Sequence, residues 1–311
     1  MYIMLSNRRQ YCSLATALML ATLGSHAFAQ PTAPTSQELG AALLRDKYTS
    51  LSPALANGVY ARPLTLSSEE ANSRVTGNVY AVLDAPFTSV SNLKNPKHLC
   101  DVMILHINTK YCHPIQQASA SVLLVNFGKK TPQPLADTFD LEFVMTTNPP
   151  SSNYLQASLQ AEKGPLGTSN YAIELSAIPL PANKTFLHLR YSYGIGAASR
   201  LAMQAYLATT GGNKVGFTEV TDTSQSPGKA KVYIGGMRGA VERNTMRYYL
   251  AIEAYLKSLS APQADQENLR LEKWFDSTEQ YPTQLRETDK ASYLAMKKDE
   301  ITRQQTARPR L

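Results

Sequence analysis

Cysteine and tryptophan are scarce in this 311-residue sequence, with three and one residues respectively. Three cysteines cannot support a disulfide-dense small scaffold, and a hydrophobic fraction of 43% excludes an intrinsically disordered chain. The sequence has no Gly-x-Ser-x-Gly and no His-Glu-x-x-His motif, so it carries no signature of a serine hydrolase or a zinc protease. What is present is a globular composition that promises a packed core without indicating a reaction.

The first 29 residues have the pattern of a secretory signal peptide. Arg8 and Arg9 precede an apolar stretch from Leu14 to Leu23, and Ala27-Phe28-Ala29 resembles a cleavage site. The pattern predicts an exported chain, periplasmic or secreted after cleavage near Ala29. The apolar stretch is short for a membrane-spanning helix, although an uncleaved anchor remains an alternative.

A helix, two strands and a short helix are predicted ahead of a long series of strands. Thr35 and Glu38 form a capping box that opens a helix over about 36 to 50. Strands follow where apolar residues alternate with polar ones, and Pro86 stands where a short helix begins. The predicted strands are 60–67, 74–83, 103–111, 119–127, 138–145, 154–161, 171–178 and 185–193. Short polar connections between them favour antiparallel pairing.

Helical patterns dominate the last third of the chain. A helix over 197–209 ends at Gly211-Gly212, and short strands are predicted at 214–220 and 231–234. The longest helical pattern follows Gly235-Gly236 and ends at Pro262, with an apolar stripe on one face. The stripe consists of Val241, Tyr248, Ile252, Tyr255 and Leu259. After it, Leu271, Trp274 and Phe275 are the expected docking residues of a charged helical tail with a break at Pro282.

This order of elements resembles the START and Bet v 1-like (SRPBCC) helix-grip superfamily. The run from Gly77 to Phe87, the segment from Asn95-Pro96 to Asp101 and the following strand look like the opening of such domains. The stretch 233–259 is similar to their last strand and gripping helix. The resemblance implies an α+β fold in which a curved antiparallel sheet wraps a long C-terminal amphipathic helix, with an extra helical tail. It also implies a hydrophobic cavity for lipids, sterols or other apolar molecules.

The chain is accordingly divided into three parts: a signal peptide at 1–29, a START-like domain at 30–260 with its core at about 60–260, and a helical tail at 261–311. The predicted ligand-binding residues share the inward faces of two strands and the long helix. They are Leu141, Phe143, Leu189, Tyr191, Tyr193, Asn244, Tyr248, Ile252 and Tyr255. A pocket of this kind is mostly apolar with a few polar groups. The alternative is that the same stripe packs as solid core.

Cys100 and Cys112 are the cysteines left once Cys12 departs with the signal peptide, and export favours a disulfide between them. His98, Asp101, His106 and His113 surround the pair and leave a metal site as the alternative, although their spacing matches no zinc pattern. No metal is expected on that ground.

Other polar groups admit a functional and a structural interpretation. Arg238, Arg243 and Arg247 either meet an anionic headgroup at the cavity mouth or form a solvated face. His188, Arg190 and Glu174 form an acid/base set or an exposed face of neighbouring strands. Gly194-Ile195-Gly196 resembles a dinucleotide turn, but the final glycine or alanine and the βαβ units are missing, so no cofactor is expected.

The sequence therefore predicts an exported protein without catalytic residues that binds a hydrophobic or amphipathic small molecule, such as a lipid, with transient contact to a membrane surface. The alternatives are an enzyme of the same fold acting on an apolar substrate, and an envelope scaffolding protein whose basic tail, 303–310, docks a protein partner. No basic stripe interleaved with aromatics is present, so nucleic acid is not an expected partner. The basic tail is otherwise a solvated, frayed terminus.

Overall fold

The structure is a computed structural model that describes residues 34–118, 120–209, 214–221 and 231–306. The predicted signal peptide at 1–29 lies outside the described residues, as does the second half of the basic segment 303–310. The described residues from Thr35 onwards form one compact unit, and the features below belong to it. No helix in the described ranges is long and apolar enough to cross a membrane.

A curved, eight-stranded antiparallel sheet forms the centre of the fold, in the order β1-β2-β8-β7-β6-β5-β4-β3. Each strand from β4 to β8 pairs with the one before it in the chain, as short hairpin connections require, and β2 pairs with β8. The strands are β1 (Leu64–Ala71), β2 (Arg74–Leu83), β3 (Thr109–Gln117), β4 (Ala120–Phe127), β5 (Phe139–Thr147), β6 (Leu155–Lys163), β7 (Ser169–Leu180) and β8 (Lys184–Gly194). A separate ribbon pairs β9 (Glu219–Thr221) with β10 (Lys231–Tyr233).

Eight helices flank the sheet in the described part of the chain. They are α1 (Ser36–Ala56), α2 (Phe87–Ser91), α3 (Pro96–Met103), α4 (Ala197–Thr209), α5 (Gly236–Ser258), α6 (Gln263–Thr278), α7 (Pro282–Leu285) and α8 (Lys290–Thr306). The capping box at Thr35 and Glu38 is present at the start of α1. The predicted α+β helix-grip fold is confirmed, because α5 lies against one face of the sheet.

The long helix α5 packs on β1, β2 and β8. Val241, Tyr248, Ile252 and Tyr255 of its stripe are buried in the main core, and Leu259 packs partly buried against it just beyond the end of α5. The approach of α5 to β2 is close at Gly77, where a side chain would collide with Thr245 and the Val241 carbonyl. A glycine is therefore needed at this crossing.

The opposite face of the sheet is covered in part by α1. Ala41 and Leu44 of the helix pack with Tyr154, Ile178 and Phe186 of the sheet in a second, smaller core. This arrangement separates the two faces of β8: Leu189, Tyr191 and Tyr193 point towards α5, while Phe186 and His188 point towards α1.

The helical tail folds back onto the domain. Leu271 and Trp274 of α6 and Tyr293 of α8 are buried in the main core, and Trp274 stacks on Tyr293 with 4.9 Å between ring centroids. Helix α6 packs along α5, and α8 packs on the edge strand β3. The predicted docking residues of the tail thus contact the core.

Some predicted boundaries are wrong. The strand expected at 103–111 begins only at Thr109, because Asn95 caps the helix opened by Pro96, and α3 then continues through Met103 into a buried turn. The first helix runs to Ala56 instead of 50, with Pro53 inside it. The strand expected at 214–220 is irregular up to Glu219, since Glu242 takes hydrogen bonds from the backbone amides of residues 217 and 218.

The predicted disulfide between Cys100 and Cys112 is present. It joins the end of α3 to the edge strand β3, with a Cα–Cα distance of 5.2 Å. The bridge therefore holds the buried turn 104–108 between two anchored elements.

Candidate functional site

The structure buries eight of the nine predicted ligand-binding residues in a single core between the sheet and α5. None of the eight is more than 5% exposed, whereas Asn244 is partly exposed. The eight are Leu141, Phe143, Leu189, Tyr191, Tyr193, Tyr248, Ile252 and Tyr255. Tyr255 lies apart from the other tyrosines, beside His98 and under the guanidinium of Arg270 at 5.0 Å.

Four tyrosines meet at the centre of this core, and we refer to Tyr171, Tyr191, Tyr193 and Tyr248 as the inner tyrosine cluster. The ring of Tyr191 lies 6.1 Å from Tyr171, 5.8 Å from Tyr193 and 5.6 Å from Tyr248. Burial raises the pKa of all four, to about 12 for Tyr171. Their hydroxyls therefore stay protonated and act as hydrogen-bond donors and acceptors inside an otherwise apolar space.

Tyr171 is a member of this cluster that sequence reasoning missed. It shares its strand face with Ile173 and Leu175, which are also buried. The alternation along β7 was therefore the signal that could have identified it.

His106 extends the inner tyrosine cluster on the side of the buried turn. Its ring stacks on Tyr248 with 4.7 Å between centroids. Its Nδ1 accepts a hydrogen bond from the Asn108 amide at 3.2 Å, which places the proton of the neutral ring on Nε2. Burial, followed by the charges of Arg247 and Lys297, lowers the pKa of His106 well below its usual value. The ring is therefore neutral at pH 7.

Two buried polar atoms beside the inner tyrosine cluster have no hydrogen-bond partner. These are Nε2 of His106 and Oγ1 of Thr109, next to the side chains of Asn244 and Tyr248. Asn244 lies close enough to His106 to affect its pKa, and Thr109 lies close enough to Tyr248 to affect that of the tyrosine. Neither contact has the geometry of a hydrogen bond. An unmet buried donor or hydroxyl costs about 1–3 kcal/mol, so each of the two atoms is unusual in a native core. Either atom could bond to a guest molecule.

A buried ionic triad, formed by Lys110 of β3 with Lys297 and Glu300 of α8, holds the turn that carries His106. Glu300 accepts from Lys110 at 3.0 Å and from Lys297 at 2.8 Å. The Nζ of Lys297 also donates to the carbonyls of His106 and Thr109, at 2.8 and 2.7 Å. Sequence reasoning missed this triad, because a Lys and a Glu three residues apart on a helix usually face water.

A second group of charges surrounds Glu287, and we call Lys130, Lys214, Arg247 and Glu287 the Glu287 cluster. The carboxylate lies 2.6 Å from Arg247, 2.7 Å from Lys130 and 3.7 Å from Lys214. Burial opposes ionisation of Glu287, but the neighbouring Arg247 and Lys130 outweigh it and lower its pKa. Burial and the charge of Arg247 lower the pKa of Lys130 to about 8.

Of the two interpretations of Arg243 and Arg247, a headgroup site or a solvated face, the solvated face is wrong. Both side chains are buried, since Arg243 donates to the carbonyls of residues 214 and 215 and Arg247 binds Glu287. Arg238 is partly buried and donates to Ser68 on β1. The pattern of charges on α5 concealed these partners, which come from distant parts of the chain.

The other candidate groups are dispersed. His98 contacts the Asn92 carbonyl, and Asp101 pairs with Lys97 and Arg270, so the four residues around the cysteines do not converge. The described ranges contain no group of three metal-binding side chains. On the α1 side of the sheet, Arg190 pairs with Glu174 at 3.0 Å.

His188 lies on the same outer face. It bonds Asn78 at 2.9 Å and stacks on Tyr80 with 4.1 Å between centroids. Burial, helped by Arg190, lowers the pKa of His188 to about 4. Of the two interpretations of these three residues, an acid/base set or a polar face of neighbouring strands, the structure shows a polar face with an ion pair beside a neutral histidine.

Comparison with known proteins gives structural neighbours only. No family model matches the sequence, and no curated protein matches it. Human StAR-related lipid transfer protein 5 is similar at a TM-score of 0.35 and 10% identity, covering 72% of this chain and all of the other. Norcoclaurine synthase from Thalictrum flavum is similar at a TM-score of 0.31 and 16% identity, covering 46% of this chain and 90% of the enzyme.

A conserved protein of unknown function from Enterococcus faecalis is similar at a TM-score of 0.31 and 9% identity, covering 73% of this chain and 95% of that chain.

Proposed function

We propose that this chain is a binding protein that encloses a hydrophobic or amphipathic small molecule between its sheet and α5. The observation that carries the proposal is the pair of unpartnered buried polar atoms, His106 Nε2 and Thr109 Oγ1, beside the inner tyrosine cluster. A mostly apolar interior with a few unmet polar groups is the pattern of a small-molecule site. A guest hydroxyl or carbonyl oxygen would accept from the Nε2–H of His106.

Binding would derive most of its free energy from the apolar part of the guest. An alkyl chain that removes about 200 Å² of apolar surface from water gains about 5 kcal/mol. Leu189 and Ile252 offer apolar contact from the two sides of the interior. In the proposed bound state, the rings of Tyr191 and Tyr248 rotate to admit the chain.

The raised pKa values of the inner tyrosine cluster favour binding over catalysis. A tyrosine whose phenolate is disfavoured by burial is a poor general base, and His106 lacks a carboxylate partner among the described residues. The tail buries Leu271, Trp274 and Tyr293 in the core. This burial favours a role of the tail in the fold over the docking of a protein partner.

We also propose that the chain is exported, with transient contact to a membrane surface when it exchanges its guest. The disulfide supports this location, because such bonds persist in oxidising compartments. Amino-terminal sequencing of the protein from fractionated cells tests the proposal: a mature terminus near residue 30 supports export with cleavage, an intact Met1 in the membrane fraction supports the uncleaved anchor, and an intact Met1 in the cytoplasmic fraction contradicts export.

A matched pair of histidine variants tests the binding site. His106 and His188 each stack on a tyrosine, but on opposite sides of the sheet. We expect His106→Phe to weaken dodecanol binding about tenfold, the value of a single lost hydrogen bond of about 1.4 kcal/mol. His188→Phe should leave the affinity unchanged. Titration calorimetry gives both affinities, and near-UV circular dichroism checks that each variant is folded.

Native mass spectrometry with organic extraction of the protein from its own cells complements the titration. A stoichiometric apolar guest supports the proposal. An empty protein that also fails to bind dodecanol, or two variants with equal losses, contradicts it.

A further inference from the structure

We infer that the guest carries an acidic oxyanion headgroup, a carboxylate or a phosphate, that binds at the Glu287 cluster. The inference rests on the proposed function and specifies the chemical class of its ligand. It is drawn from the excess of positive charge in this cluster, its connection to His106 and its access to the surface.

Three cations converge on one carboxylate in the Glu287 cluster. The side chains are mostly buried: Arg247 is 2% exposed, Glu287 9%, Lys130 21% and Lys214 25%. In the described part of the chain, Lys130 and Lys214 have no ion-pair carboxylate other than Glu287. Buried charge is costly unless it is neutralised, so a further anion between the two lysines would lower the electrostatic free energy.

A continuous set of polar side chains connects this cluster to the proposed binding site. Arg247 donates to Asn244 Oδ1 at 3.4 Å, and Asn244 lies beside the unpartnered Nε2 of His106. The charges of Arg247 and Lys130 reach the His106 ring, because both lower its pKa. An anionic headgroup at the lysines and an apolar chain at the inner tyrosine cluster would therefore fit one molecule.

The cluster is also accessible from the surface. The ammonium-bearing side chains of Lys130 and Lys214 reach the surface through their exposed fractions of 21% and 25%. Beside them, Glu287 and Phe275 line a surface hollow of about 500 Å³. The same two residues border a narrow space that reaches Ile107 and Tyr293, next to the turn that carries His106.

Lysine suits such a headgroup because its ammonium is a compact point charge that binds carboxylates and phosphates in several geometries. A hydrogen bond to a charged group is worth about 10-fold to 100-fold in affinity. The acid form of a ligand should therefore bind more tightly than the alcohol of equal chain length.

Calorimetry with dodecanoate, dodecyl phosphate and dodecanol tests the inference on the full mature chain. We expect at least one acid to bind about tenfold more tightly than dodecanol. Lys130→Gln should lower the ratio of acid affinity to dodecanol affinity to about one, since Arg247 still neutralises Glu287. The matched control is Lys290→Gln, which removes a lysine that lines the surface hollow next to Glu287 but pairs with Asp276 at 2.8 Å. Lys214→Gln serves as a second test should Lys130→Gln fail to fold.

Each outcome decides between the two claims. Equal affinity for acids and alcohol, or equal effects of Lys130→Gln and Lys290→Gln, overturns the acidic headgroup and leaves the proposed function intact. Failure of all three ligands to bind overturns both. Inorganic phosphate and acetate are titrated alone, and either one binding as tightly as its alkyl counterpart would mean that the cluster holds a free anion, which also overturns the inference.

Discussion

Replacing Glu300 with glutamine tests whether the tail holds the proposed site in place. Glu300 is 1% exposed and neutralises two lysines, Lys110 and Lys297, that are fully buried. Glutamine keeps the size of the side chain and removes its charge. Two buried ammonium groups then lose their counter-charge, in the turn and the helix that together position His106.

The magnitude follows from the burial of the pair. Removing one partner of a buried ion pair costs about 3–5 kcal/mol, because the remaining charge stays buried without compensation. The matched control is Glu279→Gln, whose partner Arg286 is 59% exposed and which should cost less than about 1 kcal/mol. The difference between the two variants isolates the effect of burial.

The loss should also depend on pH in a defined direction. Burial lowers the pKa of Lys297 to about 8, and Glu300 opposes that shift. Without Glu300, Lys297 releases its proton more readily in the folded state than in the unfolded state, whose pKa is about 10.4. The unfolded chain then binds more protons over this range, so the stability of Glu300→Gln rises from pH 8 towards pH 10.

Urea denaturation measured by tryptophan fluorescence gives both stabilities. The single tryptophan, Trp274, is buried against Tyr293 and therefore reports on the docked tail. Dodecanol affinity should fall with Glu300→Gln and not with Glu279→Gln. Equal unfolding free energies for the two variants, or a stability that falls between pH 8 and pH 10, would refute the account of the triad.

Three further predictions concern single features of the fold. Thr109→Val should not lower the free energy of unfolding, because the Thr109 hydroxyl has no hydrogen-bond partner. Thr185→Val should lower it by about 1 kcal/mol, because the Thr185 hydroxyl donates to the Ala85 carbonyl, and equal losses in urea denaturation would contradict this. An NMR titration should give His188 a pKa of about 4, so protonation destabilises the fold as the pH drops from 6.5 towards 4; a value near 6.5 would argue against its burial. Replacing Cys100 and Cys112 by serine should cost about 2–3 kcal/mol, and a melting temperature of the native protein that is insensitive to a reducing agent would speak against the bridge.

The sheet and the long helix were predictable because local patterns encode which face of an element is buried. The alternation of Leu141 and Phe143 with charged neighbours placed β5 correctly, and the stripe on α5 identified its buried face. Gly194 ends β8, whereas the long helix ends at Ser258, four residues before the predicted stop at Pro262, which instead precedes α6. The spacing and expected compartment of the cysteines likewise favoured the disulfide that is present.

The polar part of the candidate site depends on partners that are far apart in the chain. Lys110 and Glu300 are separated by 190 residues, and Arg247 and Glu287 by 40. On the sequence alone such residues look like solvated charges, because the local pattern does not reveal what will cover them. His106 drew attention as a metal ligand for its neighbours in sequence, while its actual contacts come from α5 and α8.

The sequence by itself thus determined the elements, their apolar faces and the bridge between Cys100 and Cys112, since each follows from periodicity, from glycine and proline, or from the chemistry of a pair. Only the tertiary structure decided that the tail completes the core and that His106 and Thr109 lie unpartnered beside the inner tyrosine cluster. Hydrogen bonding and charge neutralisation depend on distances of about 3 Å, and only the packing of distant segments sets those distances.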